Sequence, residues 1–221
     1  MLPWLLALTM LTATDCNAQF APLTTGTYSG ASRVPFWRKA EAGNWGGEGW
    51  LGWTRNGNAL QSVRLIVRDR PKDEGHDEPL VTVESVPPVA FAIRCVPALR
   101  ARAIQRASVT GTSLLRDRLL KLALGRRRYE LRLDSAREDL TDAKVILSDG
   151  RVTQVLYSAD GFADDPHFDV EWIGDLDGDG KLDLVVNLSR KYSVYPYRLL
   201  LSTRASRGQL VGDAAVFETA D

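Results

Sequence analysis

The chain has 221 residues, of which 44% are hydrophobic and 25% are charged, and this composition excludes the disordered and fibrous classes of protein. Its 28 basic residues balance its 28 acidic residues, so it lacks the positive excess of a general nucleic-acid binder. Apart from the N-terminus, no segment approaches the roughly 18 apolar residues of a membrane span. We therefore expect a globular protein with no nucleic-acid partner and no membrane span.

Residues 1–18 predict a signal peptide. An apolar run, Leu2–Leu11, is followed by small and polar residues that end at Ala18, which is the layout of the leader of an exported protein. The run is too short for a membrane anchor. We expect a single β-rich domain over residues 19–221, in a periplasmic or secreted protein.

The state of the cysteines depends on where the leader is removed. Cleavage after Ala18 would remove Cys16 and leave Cys95 as the single cysteine, so no intramolecular disulfide is expected. The alternative is a lipoprotein anchored through Cys16. That alternative is less favoured, because Asp15 stands where a lipidation signal has a small uncharged residue.

Most of the remaining sequence alternates between apolar and polar residues, which is typical of half-buried strands. Asn56-Gly57 and Asp149-Gly150 supply the turn residues of tight hairpins. The predicted fold class is mainly β, an antiparallel β-sandwich or a small propeller-like fold with one or two short helices. The predicted strands are Trp50–Trp53, Leu60–Val67, Leu80–Val86, Val89–Val96, Tyr129–Asp134, Ala143–Leu147, Val152–Tyr157, Tyr195–Leu201 and Gln209–Phe217.

Helix signals are confined to the middle of the chain. Ser113 is a suitable N-cap for a helix over Leu114–Leu124, and Gly125 follows the end of that helix. An alanine- and arginine-rich segment, Ala98–Ala107, indicates a second and weaker helix. The chain has no internal repeat of fixed period, so a propeller of identical blades is not supported.

Charge is unevenly distributed despite the balanced total. Basic residues dominate the segment 94–132, and acidic residues dominate the segment 134–183. Two solvated faces that partly neutralise each other are the simpler explanation, and a dipolar surface that steers a partner is the alternative. Under that alternative, the candidate partner-binding residues of the basic segment are Arg126, Arg127 and Arg128.

The segment Asp175–Asp183, with the sequence DLDGDGKLD, carries the clearest chemistry in the chain. Carboxylates stand at loop positions 1, 3, 5 and 9, and two glycines let the backbone curl, so hard oxygen ligands converge. This pattern is typical of a Ca²⁺ site, and without a cation the carboxylates would repel one another. The predicted ligands are the side chains of Asp175, Asp177, Asp179 and Asp183 and the backbone carbonyl of Lys181.

The calcium loop is predicted to lie between strands rather than between helices. Val186 occupies the position at which an EF-hand has a bidentate glutamate, and the flanking segments Phe168–Trp172 and Leu182–Leu188 alternate like strands. Water or a distant carboxylate would complete the coordination. We therefore expect a structural site of moderate affinity, suited to calcium-rich surroundings outside the cytoplasm.

The stretch from Trp172 to Val186, WIGDLDGDGKLDLVV, resembles the calcium loops of FG-GAP and integrin-propeller repeats. Together with the segments 191–194, 199–203 and 208–211, it resembles a family of exported bacterial proteins. That family includes peptidoglycan-hydrolase inhibitors and immunity proteins related in fold to periplasmic i-type lysozyme inhibitors. The resemblance implies an extracytoplasmic protein that blocks a lysozyme-like cell-wall hydrolase by plugging its cleft, with calcium holding the scaffold.

Aromatic residues indicate two further candidate surfaces. Four tryptophans lie among glycines in the segment 37–53. Core and edge residues of a sheet are the commoner role for such rings, and the alternatives are rings that stack on sugars or that anchor a protein interface. Tyr192 and Tyr195 follow the calcium-loop strand and are candidate partner-binding residues. Loops held by a rigid scaffold often carry recognition.

Two functions remain as alternatives to the inhibitor. A calcium-stabilised adhesion or glycan-binding module is favoured by the tryptophans. An uncharacterised hydrolase would use the acidic residues of segment 160–169, but nothing in the sequence pairs two of them. Because the chain also lacks a nucleophile elbow, a Walker loop and a zinc-protease motif, we expect that it is not an enzyme.

Overall fold

The structure is a computed structural model that describes residues 16–23, 36–54, 57–70, 79–111, 113–159 and 161–220. The predicted leader up to residue 15, and Asn56 of the first predicted turn, lie outside the described residues. Within them the chain forms antiparallel sheets and two α-helices of four residues each, so the prediction of a mainly β fold is confirmed. No described helix is long and apolar enough to cross a membrane.

Each predicted strand corresponds to an observed one, with ends that shift by up to three residues. The elements are β1 (Gln19–Pro22), β2 (Phe36–Arg38), α1 (Lys39–Ala42), β3 (Gly47–Trp53), β4 (Ala59–Asp69), β5 (Leu80–Val86), β6 (Phe91–Arg94), β7 (Arg102–Ala103), β8 (Gln105–Arg106), β9 (Ser108–Thr110), α2 (Leu114–Asp117), β10 (Leu119–Leu124), β11 (Arg127–Asp134), β12 (Lys144–Ser148), β13 (Thr153–Ser158), β14 (His167–Asp175), β15 (Asp183–Ser189), β16 (Val194–Leu201), a 3₁₀ turn (Ser202–Arg204) and β17 (Gly212–Ala220).

The strands form three sheets. The N-terminal sheet has the order β1-β6-β3-β4-β5-β2, with β7 paired to β4. The meander sheet has the order β13-β12-β11-β10-β9, in which neighbours in space are neighbours in sequence. The C-terminal sheet has the order β17-β16-β15-β14-β8. The predicted Asp149-Gly150 turn joins β12 to β13, and Gly150 has the positive φ of 84° that such a turn uses.

The C-terminal sheet lies between the other two and packs against both. Trp172 and Val185 join the core shared with the N-terminal sheet, whereas Ile173 and Leu184 join the core shared with the meander sheet. Successive side chains of a strand point to opposite faces, so β15 is buried along its whole length. The result is a sandwich-like stack of three layers.

The short segment 102–110 contributes a strand to each sheet. β7 pairs with β4, β8 pairs with β14, and β9 pairs with β10. The predicted helix over Ala98–Ala107 is therefore wrong, because the backbone bonds offered by three sheet edges outweigh the helix propensity of alanine and arginine. Gly174 permits the close approach of β8, since a Cβ at that position would overlap the backbone carbonyl of Gln105.

The predicted helix over Leu114–Leu124 ends after one turn. Ser113 caps the helix as predicted, but Arg118 adopts a φ of 60° and the chain then continues as β10. Alternate leucines of β10 are buried in the core of the meander sheet. Because leucines this closely spaced fit both a helical and a strand period, pairing with β9 and β11 decides the outcome. Gly125 lies in the β10–β11 turn rather than after a helix.

Cys16 and Cys95 form a disulfide in the full chain, whereas we expect no intramolecular disulfide if cleavage after Ala18 removes Cys16. In the antiparallel pairing of β1 with β6, Gln19 lies opposite Arg94. This register brings the residues just before β1 next to the residue just after β6. The Cα atoms of the two cysteines are 5.6 Å apart, within the range that a disulfide spans.

Candidate metal centre

The loop between β14 and β15 carries the candidate metal site. Gly174 lies opposite Asp183 in the pairing of the two strands, so the first and last carboxylates of the loop begin side by side. Gly178 and Gly180 have φ angles of 81° and 75°, which other residues rarely adopt. Their N–H groups donate to the two carboxylate oxygens of Asp175, at 2.5 and 3.0 Å. The loop therefore wraps around the Asp175 side chain.

Three carboxylates converge inside this loop. One oxygen each from Asp175, Asp177 and Asp183 lies within 4.8 Å of the other two. Asp183 is 0% exposed and Asp175 is 8% exposed, so two of the three groups are removed from water. An arrangement of oxygen donors alone suits a hard divalent cation. The three aspartates can hold a metal ion, as the sequence predicts for this loop.

Asp183 is the most strongly perturbed of the three. Its Oδ2 accepts a hydrogen bond from the Leu176 N–H at 2.7 Å, and its Oδ1 accepts one from the Ser202 N–H at 2.8 Å. Burial raises the pKa of Asp183 to about 7, the bond from Ser202 opposes the rise, and the negative charge of Asp177 adds to it. A bound cation would lower this pKa, because a positive charge favours the ionised carboxylate.

Two hydroxyl groups from the 3₁₀ turn reach the loop. Ser202 Oγ donates to Asp179 Oδ2 at 2.8 Å, and Thr203 Oγ1 donates to Asp177 Oδ2 at 2.6 Å. Leu184 pairs with Leu200, so the end of β16 lies beside the start of β15. No local pattern in the sequence marks these hydroxyls as neighbours of the metal site, because only the register of β15 with β16 brings them to it.

The Asp179 carboxylate lies outside the convergent group. Asp179 Oδ1 accepts a hydrogen bond from the Lys181 N–H at 2.8 Å, and Asp179 Oδ2 lies 3.4 Å from Lys181 Nζ. Together with the bond from Ser202, these contacts occupy the Asp179 carboxylate within the loop and its neighbouring turn. Of the four predicted carboxylate ligands, the structure therefore brings together Asp175, Asp177 and Asp183.

Arg102, on β7 of the N-terminal sheet, forms a hydrogen bond with the loop. Its Nη1 donates to the backbone carbonyl of Asp177 at 2.7 Å. A Cβ at Gly178 would overlap the Arg102 guanidinium, so a larger residue here would displace Arg102 from the Asp177 carbonyl. Because Arg102 lies on β7, this bond ties the loop to the N-terminal sheet. This contact is not predictable from the sequence, since local propensity marks the segment 98–107 as a helix.

The predicted partner-binding residues do not form one surface. Arg126, Arg127 and Arg128 are exposed at the β10–β11 turn, at the end of the meander sheet where Gln154 bonds to Val211. Tyr192 lies in the β15–β16 turn, beyond the opposite end of β15 from Asp183. The seven residues of β15 separate the two ends by about 20 Å.

Tyr195 and Tyr192 also differ in their surroundings. Tyr195 is partly buried and packs against the core of the N-terminal sheet. Tyr192 is 52% exposed, and its backbone N–H donates to the Asp164 carbonyl at 2.9 Å. The metal loop and this turn lie at opposite ends of β15.

The turn that carries Tyr192 is bonded to a loop that carries a second exposed aromatic residue. Asp164 donates its N–H to the Arg190 carbonyl at 2.8 Å, and Phe162, two residues earlier, is 72% exposed. We call residues 161–166 and 190–194 the aromatic end. Sequence analysis does not single out Phe162, because its flanking residues carry no motif.

The tryptophans of the segment 37–53 are core residues. Trp37, Trp45, Trp50 and Trp53 are each at most 4% exposed. The indole N–H of Trp50 donates to the Trp45 carbonyl at 2.9 Å, and that of Trp53 donates to the Gly57 carbonyl at 2.9 Å. Buried rings do not stack on sugars. The core interpretation is confirmed, and the glycan-binding alternative loses the residues that favoured it.

Comparison with known proteins adds no assignment. The chain matches no protein-family model, no curated protein and no solved structure. The function is therefore argued from the geometry of the site and the surfaces described above.

Proposed function

We propose that the Asp175–Asp183 loop binds one Ca²⁺ ion in an extracytoplasmic inhibitor or immunity protein that blocks a cell-wall hydrolase. The observation that carries the metal assignment is the convergence of Asp175, Asp177 and Asp183 in a glycine-bearing loop. The inhibitor function is supported by the resemblance of the C-terminal segments and by the exposed aromatic end.

Calcium suits this donor set better than zinc or magnesium. No histidine or cysteine among the described residues joins the cluster, whereas zinc sites usually contain nitrogen or sulphur ligands. Magnesium demands a near-ideal octahedron, whereas calcium accepts an irregular set of six to eight oxygens. The Asp179 side chain, the Lys181 carbonyl and water are the candidates for the remaining ligands.

The proposed role of the ion is structural. It would neutralise three carboxylates, of which Asp183 is fully buried. The same carboxylates and their loop bond to the 3₁₀ turn and to Arg102 of the N-terminal sheet. Neutralising the loop would therefore stabilise the place where the C-terminal sheet meets the N-terminal sheet. An ion that binds only the folded state raises the free energy of unfolding by mass action.

The aromatic end is the proposed inhibitory surface. The side chains of Phe162 and Tyr192 are 72% and 52% exposed. The segments that carry them are joined by backbone hydrogen bonds. Exposed aromatic side chains on fixed loops lose little conformational entropy on binding and are frequent hot spots of interfaces. Loops that project from a sheet end suit a concave partner, and a glycan hydrolase has an open substrate cleft.

The arginines of the β10–β11 turn have a different proposed role. They lie away from the aromatic end, so they do not enter the same cleft. Their positive charge acts over longer distances and would steer the protein toward a hydrolase whose cleft is lined with carboxylates. We expect their removal to change the association rate rather than the dissociation rate.

Calcium binding is tested by isothermal titration and by thermal unfolding with calcium or a chelator. We expect one bound ion and a higher melting temperature with calcium, and Asp177→Ala removes most of that shift. Glu130→Gln, an exposed change on the meander sheet, leaves it intact. The absence of calcium uptake at millimolar ion would contradict the metal assignment.

Inhibition is tested by the clearing of peptidoglycan suspensions by a panel of lysozyme-like and chitinase-like enzymes, including any encoded beside this protein. Phe162→Ala and Tyr192→Ala each weaken inhibition by roughly tenfold or more, because removing a hot-spot residue costs about 2 kcal/mol. Val155→Ala, an exposed change on the meander sheet, is the control. Replacing Arg126, Arg127 and Arg128 together slows association and reduces its salt dependence.

A protein that binds calcium but leaves every enzyme fully active would contradict the inhibitor function alone. A glycan array would then test the adhesion module, which no longer has the support of the buried tryptophans.

A further inference from the structure

The residues around the predicted cleavage site are part of the folded core. Phe20 and Ala21 of β1 are buried, and Ala18 packs against the same core. Gln19 Oε1 accepts a hydrogen bond from Arg94 Nε at 2.9 Å. The described structure thus continues upstream of Ala18 and reaches the disulfide at Cys16.

Cleavage after Ala18 conflicts with these contacts. It would remove Cys16, and with it the covalent link between β1 and β6. It would also place a positively charged α-amine on Gln19, the residue that faces the Arg94 guanidinium across the pairing. Cys95 follows β6 with a φ of 62°, a left-handed conformation that non-glycine residues rarely adopt. The link to Cys16 is a direct reason for Cys95 to keep this conformation.

We propose that the leader is removed upstream of Cys16, and that the exported protein keeps the Cys16–Cys95 disulfide as a covalent staple of its N-terminal strand. This inference rests on the proposed export. Ala13 and Thr14 supply small residues ahead of Cys16, which is the residue type that leader cleavage sites use. A sulphur engaged in a disulfide carries no thioether-linked lipid, so the proposal also excludes lipidation of Cys16.

The chemistry has two balanced steps. Hydrolysis of one peptide bond consumes a water molecule and leaves a carboxylate on the leader and an amine on the mature chain. The thiols of Cys16 and Cys95 together lose two protons and two electrons. Thiol–disulfide exchange passes them to the disulfide of an oxidoreductase, which becomes a dithiol. Such an oxidant operates outside the cytoplasm, in the compartment to which a leader directs the chain.

The disulfide is accessible to reagents from the surface. Both cysteines line an open cleft of about 360 Å³, together with Gly49, Leu51 and Leu99 among others. A soluble reductant therefore reaches the bond without global unfolding. Reduction in the folded state gives a direct readout of what the staple contributes.

The test begins with the full chain expressed in bacteria with an oxidising periplasm. The periplasmic protein is analysed by intact mass and by peptide mapping without reduction. We expect an N-terminus at or before Cys16, no alkylation before reduction, and two alkylated cysteines after it. The unreduced map contains one cross-linked pair of peptides, which carries Cys16 and Cys95.

Thermal unfolding with and without reductant measures the staple. Reduction lowers the melting temperature of the wild-type protein by about 5–15 °C, the range expected for a disulfide in a chain of this size. Cys16→Ser, a change before the first strand, starts at the reduced value and does not respond to reductant. We expect the same melting temperature for Cys95→Ser if that variant folds. If it does not fold, the melting temperature of Cys16→Ser is by itself the test of the disulfide.

Three outcomes would overturn the proposal. A processed protein that begins at Gln19 would contradict it while leaving export intact. A diacylglyceryl group on Cys16 would do the same. An intact Met1 with two free thiols would contradict both this proposal and export.

Discussion

Two regions of the molecule hold strand ends in place by different chemistry. At the start of the N-terminal sheet, a disulfide joins Cys16 to Cys95 beside β1 and β6. At one end of the C-terminal sheet, the carboxylates of Asp175, Asp177 and Asp183 gather in a loop between β14 and β15. The first fastening is covalent and responds to reductants. The second depends on charge, so we expect it to respond to cations and to pH.

The comparison shows that neighbouring layers of one protein can depend on different conditions in its surroundings. The disulfide needs an oxidising compartment, and the proposed cation would offset the repulsion within the carboxylate loop. Both conditions are met outside the cytoplasm. The two fastenings are thus consistent with the export that we propose, and each can be removed separately by experiment.

Removing the buried carboxylate is expected to have the largest effect. In the presence of calcium, Asp183→Ala lowers the free energy of unfolding by about 3 kcal/mol, because it leaves the buried N–H groups of Leu176 and Ser202 without an acceptor. Urea unfolding measures the change. Glu130→Gln, on the outer face of the meander sheet, stays within about 0.5 kcal/mol of the wild-type value. An equally small change for Asp183→Ala would show that this carboxylate does not hold the loop.

The metal-free loop should also make stability depend on pH. The pKa of Asp183 is raised from 3.8 to about 7 in the folded protein, chiefly by burial, so the unfolded chain releases this proton first as pH rises. The contribution of Asp183 therefore stabilises the fold most below pH 4 and is lost as pH rises from about 4 to 7.

To test this prediction, the free energy of unfolding is measured for the wild type and for Asp183→Asn, in chelator, across that pH range, and the difference between the two proteins is followed. The difference isolates Asp183 from the other carboxylates. Calcium should abolish the loss, because the ion favours the ionised side chain. If the difference in free energy of unfolding did not change with pH in chelator, the pKa of Asp183 would be the same in the folded and unfolded states, and the prediction would be wrong.

Breaking the contact between the layers is expected to have a smaller effect. Arg102→Ala removes the bond to the Asp177 carbonyl and lowers the free energy of unfolding by about 1 kcal/mol. It should also weaken calcium affinity, because the loop loses its tie to the N-terminal sheet. Calorimetry and urea unfolding measure the two effects. Arg100→Ala, an exposed arginine nearby in sequence, is the matched control, and equal results for both variants would remove the assigned role of Arg102.

The smallest expected effect is the coupling between the two fastenings. Reduction of the disulfide and chelation of calcium act on different residues that share no bond among the described contacts. Their effects on the free energy of unfolding should therefore add to within about 0.5 kcal/mol. Urea unfolding in the four combinations of reductant and chelator tests this. A larger deviation would show that the N-terminal sheet transmits strain from one fastening to the other.

Local patterns predicted the parts of this structure that depend on nearby residues. The strands are marked by period-two alternation, and the metal loop is marked by its carboxylate spacing and by Gly178 and Gly180. The Asp149-Gly150 hairpin follows from turn chemistry in the same way. The prediction of a helix over Leu114–Leu124 is wrong because a short leucine-rich segment fits both the helical and the strand period. Only pairing with the neighbouring strands β9 and β11 chooses between the two.

The sequence by itself determined the mainly β class, the positions of the strands and the place of the carboxylate loop, because each depends on residues within one short stretch of chain. Only the tertiary structure decided which distant groups complete those features. Ser202 and Thr203 reach the loop through the register of β15 with β16, Arg102 reaches it from another layer, and Cys16 meets Cys95 through the pairing of β1 with β6. Such contacts depend on how sheets pack, and no local spacing encodes them.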